Sequence, residues 1–210
     1  MKFTKQYLSI LSSDLKGLNL TRIIEPKEFH EKQYLDSIIP FQISTELSLE
    51  NQLHVDVGFG GGFPCLPLAY EFSSLNFRTI GIEAREKKVK AVNLIAKKMN
   101  LNKFTGYHAR VEDIIFDQKC LVTFKAVGKI SKFLSMMNVS NLDLKVIFYK
   151  GPGLSDLEPD YNTIKGWKLI EKKDYEIACN IRNFLVYRPV SLTKVSNKRL
   201  VNLSSIMSNK

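Results

Sequence analysis

The stretch HVDVGFGGGFPCLPL, residues 54–68, sets the strongest constraint on what this chain can fold into. A short apolar run ends in Gly58-Phe59-Gly60-Gly61-Gly62, four glycines in five positions, and Phe63-Pro64-Cys65 opens the next apolar run. Glycine loses more backbone freedom on folding than any other residue, so such a cluster is costly unless main chain must pass very close to something. An apolar strand, a glycine turn and a proline at a helix's first position read as the first strand–loop–helix unit of an α/β sheet. Backbone N–H groups face outward at that turn, and ligands bind there.

The flanking segments repeat the alternation. QLHVDV (52–57) and RTIGIE (78–83) are buried strands, and REKKVKAVNLIAKKMN (85–100) is a helix with Val92, Ile95, Ala96 and Met99 on one face. KFTGYHARV, CLVTFKAV, LKVIFYKG, WKLIEKKDYEI and NFLVYRP supply five more strands. The pattern predicts an open, mostly parallel, seven-stranded α/β sheet. Upstream, Phe3, Tyr7, Leu8, Leu11, Leu15 and Leu18 space out an amphipathic helix over residues 2–18. A second helix starts after Pro26, turns Phe29, Tyr34, Leu35 and Ile38 inward, and closes at Pro40. Residues 1–50 therefore read as an N-terminal helical cap, 51–190 as the core and 191–210 as a basic tail that can fray.

A chain of 210 residues can bury a full core. Three cysteines without a C-x-x-C pair argue against a disulfide framework and against a metal site. No apolar run approaches the roughly 20 residues of a membrane span, and the N-terminal residues alternate too evenly for a secretory signal. A cytoplasmic monomer without membrane contact is expected. The formal charge is +10, and Arg188, Lys194, Lys198, Arg199 and Lys210 carry the last stretch with no acidic residue among them. That excess draws polyanions, so nucleic acid is a candidate partner.

Two cofactors compete for the glycine loop. A dinucleotide loop, G-x-G-x-x-G, fails at its sixth position, which is Phe63. The S-adenosylmethionine spacing, acid-x-G-x-G-x-G, is met in full by Asp56 through Gly62. Asp56 is placed to complement the cofactor's positive charge. Glu83, at the end of the second strand, suits a ribose diol of either cofactor. ARVED (109–113) follows the third strand, where Glu112 or Asp113 can frame an adenine.

These motifs, read in order with NLTRI (19–23), YLDSI (34–38), EKKVKAV (86–92) and FYKG (148–151), resemble the GidB/RsmG family of guanine-N7 methyltransferases of bacterial small-subunit ribosomal RNA. The resemblance covers roughly residues 7–190. It implies a Rossmann-like class I S-adenosylmethionine-dependent methyltransferase with an N-terminal helical extension, acting on small-subunit rRNA or the ribosomal subunit. It further implies cofactor contacts at Gly58 and Phe63, to which the glycine spacing adds Gly60, an adenosine-side pair at Val111 and Glu112, and a cofactor-side cation at Lys129, where the family has the arginine of a Ser-Arg-Ala segment. Departures include Asp14-Leu15 for Trp-Asn, Gln33-Tyr34 where a histidine precedes Leu-Asp-Ser, and Cys65 for a small glycine.

Guanine N7 carries a lone pair and no proton, so methylation there needs positioning rather than a base. His54 and His108 fall in strands and read as core residues, while His30 falls on the polar side of its helix. No [DN]-P-P-[YF] motif of amine methylation occurs, and Cys65 beside the loop reads as packing. Lys87, Lys88, Lys129, Lys150 and the basic tail are candidates for the RNA side, Lys129 and Lys150 for the acceptor, whereas Lys97 and Lys98 read as a solvated face. The alternatives are a methyltransferase of this fold acting on another RNA or a small molecule, and a non-catalytic RNA-binding relic.

Overall fold

A computed structural model of the chain describes residues 1–48, 52–193 and 200–208. The first helix, α1 (Lys2–Ser13), is followed by α2 (Pro26–Phe29), a π-helical turn (His30–Leu35) and α3 (Asp36–Ile43). Then come β1 (Leu53–Val57), α4 (Cys65–Glu71), β2 (Arg78–Glu83), α5 (Glu86–Lys98) and β3 (Phe104–His108). A 3₁₀ turn (Val111–Asp113) leads to β4 (Ile114–Phe116), β5 (Cys120–Lys125), α6 (Ile130–Met136), β6 (Asn138–Val139) and β7 (Leu144–Lys150). The chain continues through α7 (Leu154–Leu157), β8 (Trp167–Ile177), β9 (Asn180–Pro189), β10 (Val201–Asn202) and α8 (Leu203–Ser208).

Seven strands form the main sheet in the order β3-β2-β1-β5-β7-β9-β8. All neighbours are parallel up to β7, and β9 joins antiparallel to both β7 and β8. Strand alternation splits the interior into two faces. In β7, Ile147 and Tyr149 join the core shared with α1, α4 and α5, whereas Val146 and Phe148 join the core on the opposite face. In β9, Phe184 and Val186 take the first face and Leu185 and Tyr187 the second. These central strands are apolar on both sides, as strands covered on both faces must be.

Three expectations are revised. Helix α1 ends at Ser13, not at residue 18: the Ser12 and Ser13 hydroxyls donate to the Ser9 carbonyl, at 3.0 and 2.9 Å, and Gly17 takes φ +89°. Serine hydroxyls so placed compete with the helical ladder. Pro40 does not close its helix but lies inside α3, whose Ser37, Ile38, Pro40 and Phe41 are all buried. Tertiary burial there outweighs one missing backbone donor. Residues 200–208 of the tail are docked rather than frayed: Leu203 enters the second core and the Tyr107 hydroxyl donates to the Ile206 carbonyl at 2.9 Å. Strand β10 pairs with β4, and β4 with β6, in a small parallel sheet that the sequence reading does not contain. The boundary at residues 50 and 51 and the tail cations Lys194, Lys198, Arg199 and Lys210 lie outside the described residues.

Phe59, the one side chain among the loop glycines, is buried and fills the niche left by two strand glycines. A Cβ added at Gly81 of β2 would come 2.5 Å from the Phe59 ring, and one at Gly106 of β3 would come 3.3 Å from it. Gly81→Ala is therefore expected to cost about 1–3 kcal/mol of stability by overpacking. A urea midpoint equal to wild type would contradict this.

Candidate active site

The glycine loop leaves β1 and is tied to the sheet before it reaches α4. The Gly58 N–H donates to the Ile82 carbonyl at 2.7 Å, and the Gly60 N–H to Glu83 Oε2 at 3.1 Å. The Arg85 N–H donates to Glu83 Oε1 at 2.9 Å, so the carboxylate braces the loop and the start of α5 together. Gly60 has φ +55°, and the Cα of Gly61 lies so near the cap that an added Cβ would meet the Leu20 carbonyl oxygen at 2.7 Å. Only glycine satisfies both demands.

A cavity of about 410 Å³ opens over this loop, lined by Gly58, Gly60, Phe63, Glu83, Lys88 and Lys125, among others. A second cavity of about 230 Å³ shares Gly58 and Glu83 with it and continues past Ala84, Val111, Glu112, Phe133 and Met136. A third, of about 370 Å³, shares Gln33, Lys125 and Ala126 with the first and is walled by Asp36, Asn180 and Arg182. The three adjoin along the carboxyl ends of the parallel strands, where ligands of open α/β sheets bind.

Of the residues singled out in the sequence, Gly58, Gly60, Phe63, Glu83, Val111 and Glu112 line the first two cavities. Asp56 does not. It is fully buried beneath the loop, where its Oδ1 accepts from the Thr123 hydroxyl at 2.8 Å and its Oδ2 from the Cys65 N–H at 3.1 Å. Its role is to hold β1, β5 and α4 in register rather than to face a ligand. Burial lifts its carboxyl to about 7, against the hydrogen bonds from Thr123 and Cys65. Because Thr123 donates to Asp56, it accepts from His54 Nε2 at 2.9 Å, which leaves His54 Nδ1 without a partner. Burial depresses His54 to about 3 and pushes the Cys65 thiol well up, so Cys65 is inert packing.

The two lysines expected on the acceptor side are elsewhere. Lys129 is exposed at the N-terminus of α6 and lines none of the three cavities. Lys150 turns inward, where Nζ donates to the Gly128 carbonyl at 2.9 Å and pairs with Glu158 at 2.5 Å. Glu158 in turn accepts from the Ile130 N–H at 2.6 Å, so Lys150 helps fix α6. Lys125 lines both the first and the third cavity, and Lys88 lines the first. Lys125 is the last residue of β5, in Phe124-Lys125-Ala126. The signal lay in CLVTFKAV, where a strand ends on a lysine. His108 is exposed at the end of β3, bonded to the Ala84 carbonyl at 3.0 Å, and is not a core residue. His30 is half-buried, stacked on Tyr34 at 5.2 Å, rather than on a polar face.

Lys125 is buried and pairs with Asp36, the aspartate of the Leu-Asp-Ser motif, at 2.9 Å. Burial disfavours the charged Asp36 carboxyl, but Lys125 and Arg182 outweigh it and hold the group below its usual range. Burial pushes the Lys125 ammonium down. Tyr175 donates to Asp36 Oδ1 at 2.7 Å, and Arg182 Nε lies 3.4 Å from the same atom.

Residues 1–165 match the GidB family, described as rRNA small subunit methyltransferase G. The chain belongs to the GidB family. It is 30% identical over 172 residues to a ribosomal RNA small subunit methyltransferase G of Mesoplasma florum, spanning 80% of this chain and 68% of the relative. It is 30% identical over 182 residues to the Streptococcus suis protein of that name, spanning 82% and 75%. Among solved structures, the fold is similar to a SAM-dependent methyltransferase from Aquifex aeolicus, with a TM-score of 0.53 and 17% identity over 78% of this chain and 96% of that one. It is also similar to the magnesium protoporphyrin IX methyltransferase of Synechocystis with bound SAM, with a TM-score of 0.54 and 16% identity over 90% and 98%. This GidB-family chain thus has the mostly parallel sheet of S-adenosylmethionine-dependent methyltransferases. Among the described residues no helix is long and apolar enough to cross a membrane.

The buried Asp56 and His54 pull stability in opposite directions with pH. Asp56 is protonated more readily folded than unfolded, so its contribution is present below about pH 4 and is lost as pH rises to about 7. His54 protonates more readily unfolded, so its penalty eases as pH rises from about 3 to about 6.5. Asp56→Asn removes only the first. The variant's stability relative to wild type is expected to climb between pH 4 and 7 by up to about 1.4 kcal/mol per pH unit. Parallel stability–pH curves for the two proteins would refute this assignment.

Proposed function

We propose that this chain transfers the methyl group of S-adenosylmethionine to N7 of a guanine in small-subunit ribosomal RNA. The observation that carries the reading is the row of three adjoining cavities in a GidB-family chain, two over the glycine loop and one beyond Lys125. The fit to the cofactor rests on the chemistry of the lining. Gly60 lines the first cavity at φ +55°, a conformation that glycine adopts freely, and Glu83 offers carboxylate oxygens at the end of β2 for a ribose diol. Val111, Phe133 and Met136 give the second cavity apolar walls suited to an adenine, with Glu112 at its rim. When bound there, S-adenosylmethionine supplies a methyl group activated by its sulfonium.

The residues of the chain then have to orient two partners and exclude water. Guanine N7 has no proton to lose, and the described histidines suit a site without a base. His54 is sealed under the loop, His108 is bonded to Ala84, and His30 is stacked against Tyr34. The rate gain is then mainly proximity. The net charge of +10 supplies RNA affinity that falls steeply with salt.

Small-subunit particles from a strain lacking this gene, incubated with the purified chain and S-adenosylmethionine, are expected to gain N7-methylguanine at one position of the RNA. Glu83→Gln removes the charge that a ribose diol would meet and should weaken cofactor affinity by about ten- to hundredfold in calorimetry. A wild-type chain that binds no S-adenosylmethionine, or particles without new N7-methylguanine, would overturn the proposal.

A further inference from the structure

We infer that Arg182 holds the phosphate of the acceptor nucleotide at the mouth of the third cavity. The inference rests on the guanine-N7 reading above. Lys125 also lines the cavity over the glycine loop, whereas Arg182 lines the third cavity and neither of the other two. It reaches that wall from β9, past the end of the 1–165 family match. Its side chain keeps 27% of its surface exposed, so it stands at the rim of the cavity and not in its floor. Ile23, Pro152 and Ile177 give the same cavity apolar walls for a base. Its volume of about 370 Å³ lies within the range of small-ligand pockets.

The charge at this rim is unmatched. Of the other cations lining the cavity, Lys32 pairs with Glu28 at 2.8 Å and Lys125 with Asp36 Oδ2 at 2.9 Å. Arg182 has no carboxylate of its own: its Nε lies 3.4 Å from Asp36 Oδ1, which already accepts from the Tyr175 hydroxyl at 2.7 Å. A guanidinium carries five N–H donors. Among the described residues its side-chain partners are that Asp36 oxygen and the Tyr175 hydroxyl, too few for its donors, so the outer edge of the fork is open to a ligand. Guanine cannot fill that edge and still react. A donor on N7 would occupy the lone pair that takes the methyl, and O6 is a neutral oxygen that leaves the charge unmatched. A phosphate offers two anionic oxygens side by side, the bidentate partner of a guanidinium. It lies one sugar away from its base, so a guanosine seated between the apolar walls brings its own 5′ phosphate to the rim. Contacts of this kind set the register of the RNA and leave the reading of the base to other groups.

The test uses small-subunit particles assembled around RNA with either the natural phosphate or an uncharged methylphosphonate on the 5′ side of the acceptor guanosine, the preceding sugar being 2′-deoxy in both. With the wild-type chain the methylphosphonate is expected to raise KM for particles about ten- to hundredfold, and to lower the slope of log KM against log salt by about 0.7–0.9. Arg182→Gln should do the same to the natural RNA, and the two changes together should cost no more than either alone. Arg182→Lys keeps the charge and loses the fork, so it should restore the slope and only part of KM. Calorimetric affinity for S-adenosylmethionine should stay at the wild-type value in both variants, which separates an RNA phosphate from the cofactor's own carboxylate as the anion held at this rim. The wild-type arm needs no variant and decides alone if Arg182→Gln does not fold. Equal wild-type KM for the two RNAs overturns the inference while leaving the functional reading standing. So do two costs that add, or a folded variant that loses the cofactor. No transfer to the natural RNA by the wild type overturns the functional reading, and this inference with it.

Discussion

The Asp36 carboxylate is where the N-terminal helices, the parallel sheet and the C-terminal hairpin meet. It is carried by α3 and is approached by Lys125 from the end of β5, by the Tyr175 hydroxyl from β8 and by Arg182 from β9. A buried charge cluster of this kind contributes little net stability, but removing one partner leaves an uncompensated charge that costs several kcal/mol. The arrangement therefore fixes geometry more than it adds stability. The third cavity lies between the cap and the hairpin because this cluster holds them at that spacing. Tyr149 adds a further tie, its hydroxyl donating to the Ser37 carbonyl at 2.7 Å.

The same cap also sets the shape of the glycine loop. The Tyr7 hydroxyl donates to the Gly61 carbonyl at 2.7 Å inside the protein, and burial pushes that phenol far up, so it stays a donor at every working pH. Phe63 packs its ring between Tyr7 and Phe29, with centroids 5.2 and 5.5 Å away. From below, Asp56 holds the start of α4 and Glu83 holds the Gly60 N–H. A loop rich in glycine would otherwise lose binding free energy to its own disorder. Clamped from both sides, it meets a ligand already in shape. The helices of residues 2–43 are thus part of the site, not an appendage to it.

Much of this was legible in the sequence. The seven main strands are long enough to show as apolar runs, and the glycine loop and Glu83 fall where strand ends predict them. What was not legible depends on contacts between distant residues. Strands β4, β6 and β10 have three residues or fewer, too short for periodicity to register. Pro40 reads locally as a stop, and only the burial of its neighbours keeps the helix going. Asp56 and Glu83 look alike in the sequence, each an acid in β1 or β2, yet one points beneath the loop and the other lines the cavity. Lys125 carries no local signal that separates it from Lys150, which also ends a strand. Its partner Asp36 lies 89 positions earlier in the chain.

A lysine suits position 125 for a reason visible in the oxygens of Asp36. An arginine there would present a planar fork that wants two acceptors side by side. Oδ1 is already engaged by Tyr175 and approached by Arg182, so only Oδ2 is open to β5. A compact ammonium needs just that one oxygen, and its Nζ also donates to the Lys32 carbonyl at 3.3 Å. The guanidinium at this cluster comes instead from β9, where its Nε lies alongside Asp36. Cation and carboxylate thus divide the work: the Tyr175 hydroxyl holds Asp36 Oδ1, with Arg182 Nε alongside at 3.4 Å, and Asp36 Oδ2 holds Lys125 at the wall that two cavities share.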